Sequence, residues 1–130
     1  MEIAKTRGEI EDAICTGMIR FEQEFMGRGP KHISTHLLGD AMLVRLRDVL
    51  TTAERHLVMT RPPEEGRDLV KRVRTKLFEA ARPALEKLVE TIVDEIPSSI
   101  HHHVCTETGE EVVVFSFARP IPYREMGRNH

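Results

Sequence analysis

Residues 31–50 read KHISTHLLGDAMLVRLRDVL, and the fold class turns on how this stretch is taken. Ile33, Thr35 and Leu37 alternate with Ser34, His36 and Leu38. After Gly39-Asp40, Met42, Val44 and Leu46 alternate with Leu43, Arg45 and Arg47. A period of two belongs to strands, because successive side chains leave the pleated backbone on opposite faces. Two such runs joined by a Gly-Asp pair predict a β-hairpin, with Arg45 and Arg47 on the face opposite Val44 and Leu46.

The same pattern returns near the other end, in SSIHHHVCTETGEEVVVFSFA at residues 98–118. Ile100, His102 and Val104 point one way, and His101, His103 and Cys105 the other. Thr108-Gly109 turns the chain into a run dense in Val and Phe, which predicts a covered strand.

Helical periods fill the remainder. Ile10, Ile14, Met18, Phe21 and Phe25 mark one face of a helix over about 7–26, ended by Gly27. LTTAERHLV, residues 50–58, carries a capping box with Thr51 as N-cap and Glu54 three residues on, so a short helix over about 52–59 is predicted. Pro62-Pro63 stops it and opens the next helix. Over about 64–93, Leu69, Val73, Leu77, Ala80, Ala84, Leu88 and Ile92 form an apolar stripe, widened by Leu85 and Val89. Pro83 lies inside this run and predicts a kink or break. Arg67, Lys71, Arg72, Arg74 and Lys76, offset by Glu64, Glu65, Asp68 and Glu79, read as a solvated face.

The order α-ββ-α-α-ββ predicts an α+β fold. Two hairpins join in one four-stranded antiparallel sheet, with helices on one face. Residues 1–118 form a single domain, and 119–130, RPIPYREMGRNH, an irregular tail. Four short strands leave exposed edges, which predicts a homodimer with the first helix as a further contact element.

With 130 residues, 40% hydrophobic and 31% charged, the chain holds one core, and its formal net charge of -2 gives no bulk attraction to nucleic acid or acidic membranes. No apolar stretch approaches the ~20 residues of a membrane span, and no signal peptide is visible. Cys15 and Cys105 form no CxxC pair, which fits reduced thiols in a cytoplasmic protein.

Few residue patterns point to chemistry. Gly27-Arg28-Gly29-Pro30 suits either a helix cap with a tight turn or a small-anion site. In the second reading Gly27 and Gly29 supply backbone amides, and Arg28, with Lys31, Arg45 and Arg47, supplies positive charge. Following a helix and lacking the Lys-Ser/Thr pair of a P-loop, it fits the cap better. His101, His103 and Cys105 share one strand face and are zinc-type ligands. Three on a flat strand cannot all close on one ion, so the metal reading needs a further ligand from Glu111, His32 or His36. Arg45, Arg47 and Lys31 also make a weak nucleic-acid patch without an aromatic beside it. Glu54 is used by capping, and His56 with Cys105 would be the only nucleophile-base pairing on offer. No carboxylate pair, catalytic triad order or cofactor loop stands out, so a non-enzymatic domain without cofactor is expected, ahead of a small-ligand or metal-binding enzyme.

GRGPKHISTHLLGD, VLTTAERHLV, GRDLVKRVRTKLFEAARPALEKLVE and TGEEVVVFSF follow one another in this order. Together they resemble a small bacterial family, long catalogued as a domain of unknown function and later labelled the C component of a Na+-translocating, membrane-potential-generating system. The likeness runs from about Met18 to Phe117. It implies an accessory or regulatory part in a membrane system for ion and inorganic-carbon uptake, working through a protein partner or small anion, and it carries over no catalytic residues. At HHHVC, His101 matches a histidine of that family, while His103 stands where similar members have Asp.

Overall fold

The computed structural model describes residues 5–125. Along the chain run α1 (Arg7–Met26), β1 (His32–Leu38), β2 (Ala41–Arg47), α2 (Thr52–Val58), α3 (Pro63–Ala80), α4 (Arg82–Val93), β3 (Ser99–Cys105) and β4 (Glu110–Ser116). The α-ββ-α-α-ββ order is the one read from the sequence. Residues 119–125 hold no helix or strand beyond a single bridge between Thr6 and Arg124, and the rest of the expected tail lies outside the described residues.

Each hairpin closes as its pattern demands. In the first, Ile33 pairs with Leu46, Thr35 with Val44 and Leu37 with Met42, around a turn where Gly39 takes φ 64°. In the second, Ile100 pairs with Phe115 and Val104 with Glu111. The hairpins merge through β2 and β4, Val44 opposite Val113, into one antiparallel sheet of order β1-β2-β4-β3. Met42, Val44, Leu46, Val113 and Phe115 are fully buried beneath the helices.

The helices start where backbone donors are satisfied. At α1, the Glu9 amide donates to the Thr6 hydroxyl at 3.1 Å and the Thr6 amide to the Glu9 carboxylate at 2.8 Å. The Thr51–Glu54 capping box repeats this at α2, with 3.1 and 2.8 Å. Such caps contribute about 1 kcal/mol each. Gly27 ends α1 with φ 90° in the left-handed region. Pro83 breaks the long run as expected, so that α3 ends at Ala80 and α4 begins at Arg82.

The stripe on this run is displaced from the buried row. Leu69, Val73 and Leu77 are 38%, 44% and 40% exposed. What α3 buries is the next row, Gly66, Val70, Arg74 and Phe78, continued by Leu85, Val89 and Val93 on α4. Apolar periodicity misses this inward row because a glycine and an arginine interrupt it, while the neighbouring row is uninterrupted. The solvated-face reading therefore fails for Arg74, which has no solvent exposure at all.

Gly66 is required by close approach: a Cβ there would collide with the Leu57 carbonyl oxygen of α2. Gly66→Ala is expected to cost at least ~2 kcal/mol in urea unfolding, because backbone must move to admit it. Gly8→Ala, where a Cβ meets nothing within 4 Å, is expected to be stabilising by about 0.5–1 kcal/mol in the same assay.

Candidate functional site

The strongest constellation of ionisable groups lies inside the molecule. Arg74 reaches inward from α3, donating from Nε to Glu54 Oε2 at 2.8 Å and from Nη2 to Glu54 Oε1 at 2.9 Å and the Val49 carbonyl at 2.8 Å. Its Nη1 stands 3.6 Å from Glu22 Oε1 on α1 and 3.8 Å from Glu111 Oε2 on β4. Glu111 Oε2 in turn meets Nε2 of His102 on β3. The His102 ring stacks on Phe78, centroids 4.1 Å apart and planes within 15°. The side chains of Glu22, Arg74 and Glu111 are fully buried.

Burial sets the protonation of these groups. Burial first, and then the neighbouring Glu111, push Glu22 up to about 9. Burial likewise raises Glu111, against the pull of Glu22 and Arg74. It lowers His102 to about 4, with Arg74 adding to the effect and Glu22 opposing it. For Glu54, burial is outweighed by the bonds from Arg74 and Thr51, which hold its carboxyl below the usual range. At neutral pH Glu22 thus keeps its proton and His102 is neutral, while ionised Glu54 faces the Arg74 cation. Glu22 Oε1 and Oε2, Arg74 Nη1 and Glu111 Oε1 meet no hydrogen-bonding protein atom among the described residues. Glu22, Arg74 and Glu111 are closed off from solvent, Glu54 and His102 nearly so, and the cluster holds α1, α2, α3 and the sheet together.

Apart from Glu111, the anion and metal candidates read from sequence lie elsewhere. Arg28 donates to Gly29 O at 3.3 Å, to Leu50 O at 3.2 Å and to Asp48 Oδ2 at 3.2 Å. It pins the link between β2 and α2, where Asp48 takes φ 57°. Gly27 caps α1, Gly29 follows, and the Lys31 amide donates to Arg47 O at 2.9 Å. Arg45 and Arg47 meet at Glu110 instead, at 2.7 and 3.7 Å. Opposite them on β1 stand Ser34 and His32, and these side chains with Ile33 line a shallow pocket of about 300 Å³.

His101 and His103 are exposed, and Cys105 is half-buried. Their partners on β4 are Val114, Val112 and Glu110. Glu111 faces the other way, bonded to His102. His32 and His36 are on β1, three strand spacings or about 14 Å across the sheet. Among the described residues no group of three His, Cys, Asp or Glu side chains converges as a metal site needs. Cys15 and Cys105 are unbridged.

Between α1 and α4 runs an apolar groove of about 600 Å³, lined by Ala13, Gly17, Phe21, Phe25, Leu88 and Ile92, with Arg20, Glu24 and Lys87 also at its walls.

Sequence reasoning passed over Glu22, Arg74 and His102 as a group. A signal was present: each is a polar residue inside an apolar row, Glu22 four after Met18, Arg74 between Val70 and Phe78, and His102 between Ile100 and Val104. Buried polar groups come with partners, so three such interruptions call for one another.

Residues 6–119 match the family model described as Na+-translocating membrane potential-generating system (MpsC). The uncharacterized protein YbcI of Bacillus subtilis (strain 168) is 30% identical over 117 residues, covering 90% of this chain and 92% of that protein. No solved structure shows a significant match. The chain belongs to the MpsC family. Among the described residues no helix is long and apolar enough to cross a membrane.

The buried cluster dictates how stability depends on pH. Between pH 4.5 and about 9 the folded chain keeps the Glu22 proton that the unfolded chain has lost, so stability falls as pH rises. His102 acts oppositely: between pH 6.5 and about 4 the unfolded chain takes up a proton the folded chain refuses, so stability falls as pH drops. Urea midpoints should therefore decline from pH 6.5 to 9, and Glu22→Gln should flatten that decline; an unchanged slope refutes the assignment. Arg74→Met, which strands Glu54 beside the raised carboxyls, is expected to cost about 3–5 kcal/mol at pH 7.

Proposed function

We propose that this MpsC-family domain is a non-catalytic accessory or regulatory component, resident in the cytoplasm, that acts by binding a protein of an ion or inorganic-carbon transport system. The family description supports the association with a membrane system. The carrying observation is the row Leu69, Val73 and Leu77, each more than a third exposed on a helix that already buries a different row in its own core. A helix with two apolar rows has one available for another molecule. The Arg74 cluster supports a scaffold role in the same sense, because Glu22, Arg74 and Glu111 at its centre are fully buried. The homodimer expected from the exposed edges belongs to this proposal too, with β1 and β3 as the outer strands; sedimentation of the purified protein reads one chain or two.

Photoreactive residues placed in living cells at Val73 on α3 and at His36 on the open sheet face test the reading. A covalent adduct with a membrane-embedded protein is expected from at least one position. Adduct formation at neither refutes it.

A second reading, a small anion, is favoured by the pairing of Arg45 and Arg47. Both lean on the single carboxylate of Glu110, and the Arg47 side chain is 59% exposed beside His32. Inorganic phosphate titrated into the protein should then perturb the His32 and Ser34 amide resonances saturably. Arg47→Ala should abolish the effect, whereas Arg28→Ala, which removes a staple between Asp48 and Leu50, should preserve it.

A further inference from the structure

We propose that the apolar band running from Leu69 along α3 to Ile92 on α4, with the groove between α4 and α1, seats an amphipathic helix of a partner protein whose flanks are acidic. This rests on the protein-binding reading above and names its surface and the chemistry of its occupant.

The band is continuous in chemistry across the α3–α4 break. Leu69, Val73 and Leu77 on α3 are followed by Ala84, Leu88 and Ile92 on α4, all on the row that precedes the buried one. On α3 its exposed part, from Leu69 to Leu77, extends for about 12 Å at ~1.5 Å per residue, roughly two turns of a docked helix. At the α4 end it opens into the groove of about 600 Å³. Small residues make that groove. Ala13 and Gly17 on α1 and Ala84 on α4 keep its walls low, and at Gly17 a Cβ would stand only 2.8 Å from Leu88 Cδ1. Large side chains of an incoming helix fit such a trough as ridges fit grooves.

Charge selects the occupant. Residues 69–78 contain Lys71, Arg72, Arg74 and Lys76 and no acid, and of these Arg74 alone is buried. Arg72 and Lys76 each follow a band residue, Leu69 and Val73, by three positions and so lie beside the band. Arg20 and Lys87 stand at the groove walls, with Glu24 the acid among its lining residues. Glu65 and Asp68 border the band at its Leu69 end, so the positive excess lies beside Val73, Leu77 and the groove, on a chain whose formal net charge is -2. A second copy would bring the same cations against these, a repulsive arrangement, whereas acidic flanks on the incoming helix complement them. A flat anionic bilayer would match the charge but cannot fill a trough between two helices.

The test uses the full-length protein in cells, with a photoreactive residue at Leu77 or at Ile92 and the adducts mapped by mass spectrometry. The expected result is one partner cross-linked from both positions, through a segment with apolar residues at helical spacing and Asp or Glu beside them. The double variant Lys76→Glu/Lys87→Glu, its fold verified by circular dichroism and urea midpoint, should lower adduct yield roughly tenfold. Adducts with a second copy of this chain, with lipid, or with a basic or non-helical segment overturn the proposal, as does an adduct yield indifferent to the charge reversal. Adducts from His36 on the sheet but from neither band position would leave the protein-binding reading standing and remove this one. Adducts from none of the positions would remove both.

Discussion

A guanidinium taken out of water needs acceptors, and Arg74 finds its hydrogen bonds at Glu54 of α2 and at Val49 in the link after β2, while Glu22 of α1 and Glu111 of β4 stand 3.6 and 3.8 Å from its Nη1. These four groups come from three stretches far apart in the chain. The first hairpin leads into Val49 and Glu54, the second carries Glu111, and α1 brings Glu22. Withdrawing any of these would leave a buried charge or a buried proton without company, which costs several kcal/mol. The arrangement therefore ties the helical layer to the sheet by a requirement of satisfaction, where apolar packing alone would permit several orientations. That polar clusters enforce a single arrangement in this way fits the near-parallel stacking of His102 on Phe78, which fixes where α3 crosses β3.

Most of the architecture could be read from local pattern. Alternation around Gly39-Asp40 and Thr108-Gly109 located both hairpins, and Thr51 with Glu54 located α2. Pro83 located the break between α3 and α4. These features are local: a turn, a cap or a missing amide acts on residues within one turn of itself. The row that α3 buries is not local. It is decided by α2 pressing on Gly66 and by carboxylates at positions 22, 54 and 111, which are distant in sequence. A hydrophobicity count sees an arginine as surface and cannot see its partners. Arg28 illustrates the same point from the other side: nothing near it in sequence shows that its guanidinium bonds Asp48 and Leu50, because those acceptors lie 20 residues or more away.

The displaced stripe divides the labour of the long helical run. The inward row serves the domain's own stability through Val70, Arg74 and Phe78, and the adjacent row lies exposed on α3 at Leu69, Val73 and Leu77, while its continuation on α4, Leu88 and Ile92, packs half-buried against the core. The proposed partner helix would take the exposed part of this row, on the opposite layer from Arg45 and Arg47 of the open sheet.

The sheet order β1-β2-β4-β3 has a bearing on how the molecule comes into being. Its central seam joins Leu46 to Glu111 and Met42 to Phe115, strands separated by the entire α2–α4 segment. During synthesis the first hairpin leaves the ribosome with β2 lacking its inner neighbour, and about half the polypeptide must follow before β4 arrives. Until then β2 is a bare ribbon margin, open to pairing with other nascent chains. Such distant pairing slows assembly relative to helical bundles of the same size. Lys31, Arg45 and Arg47 lie on that early ribbon, and charged side chains on a strand margin disfavour pairing with another copy.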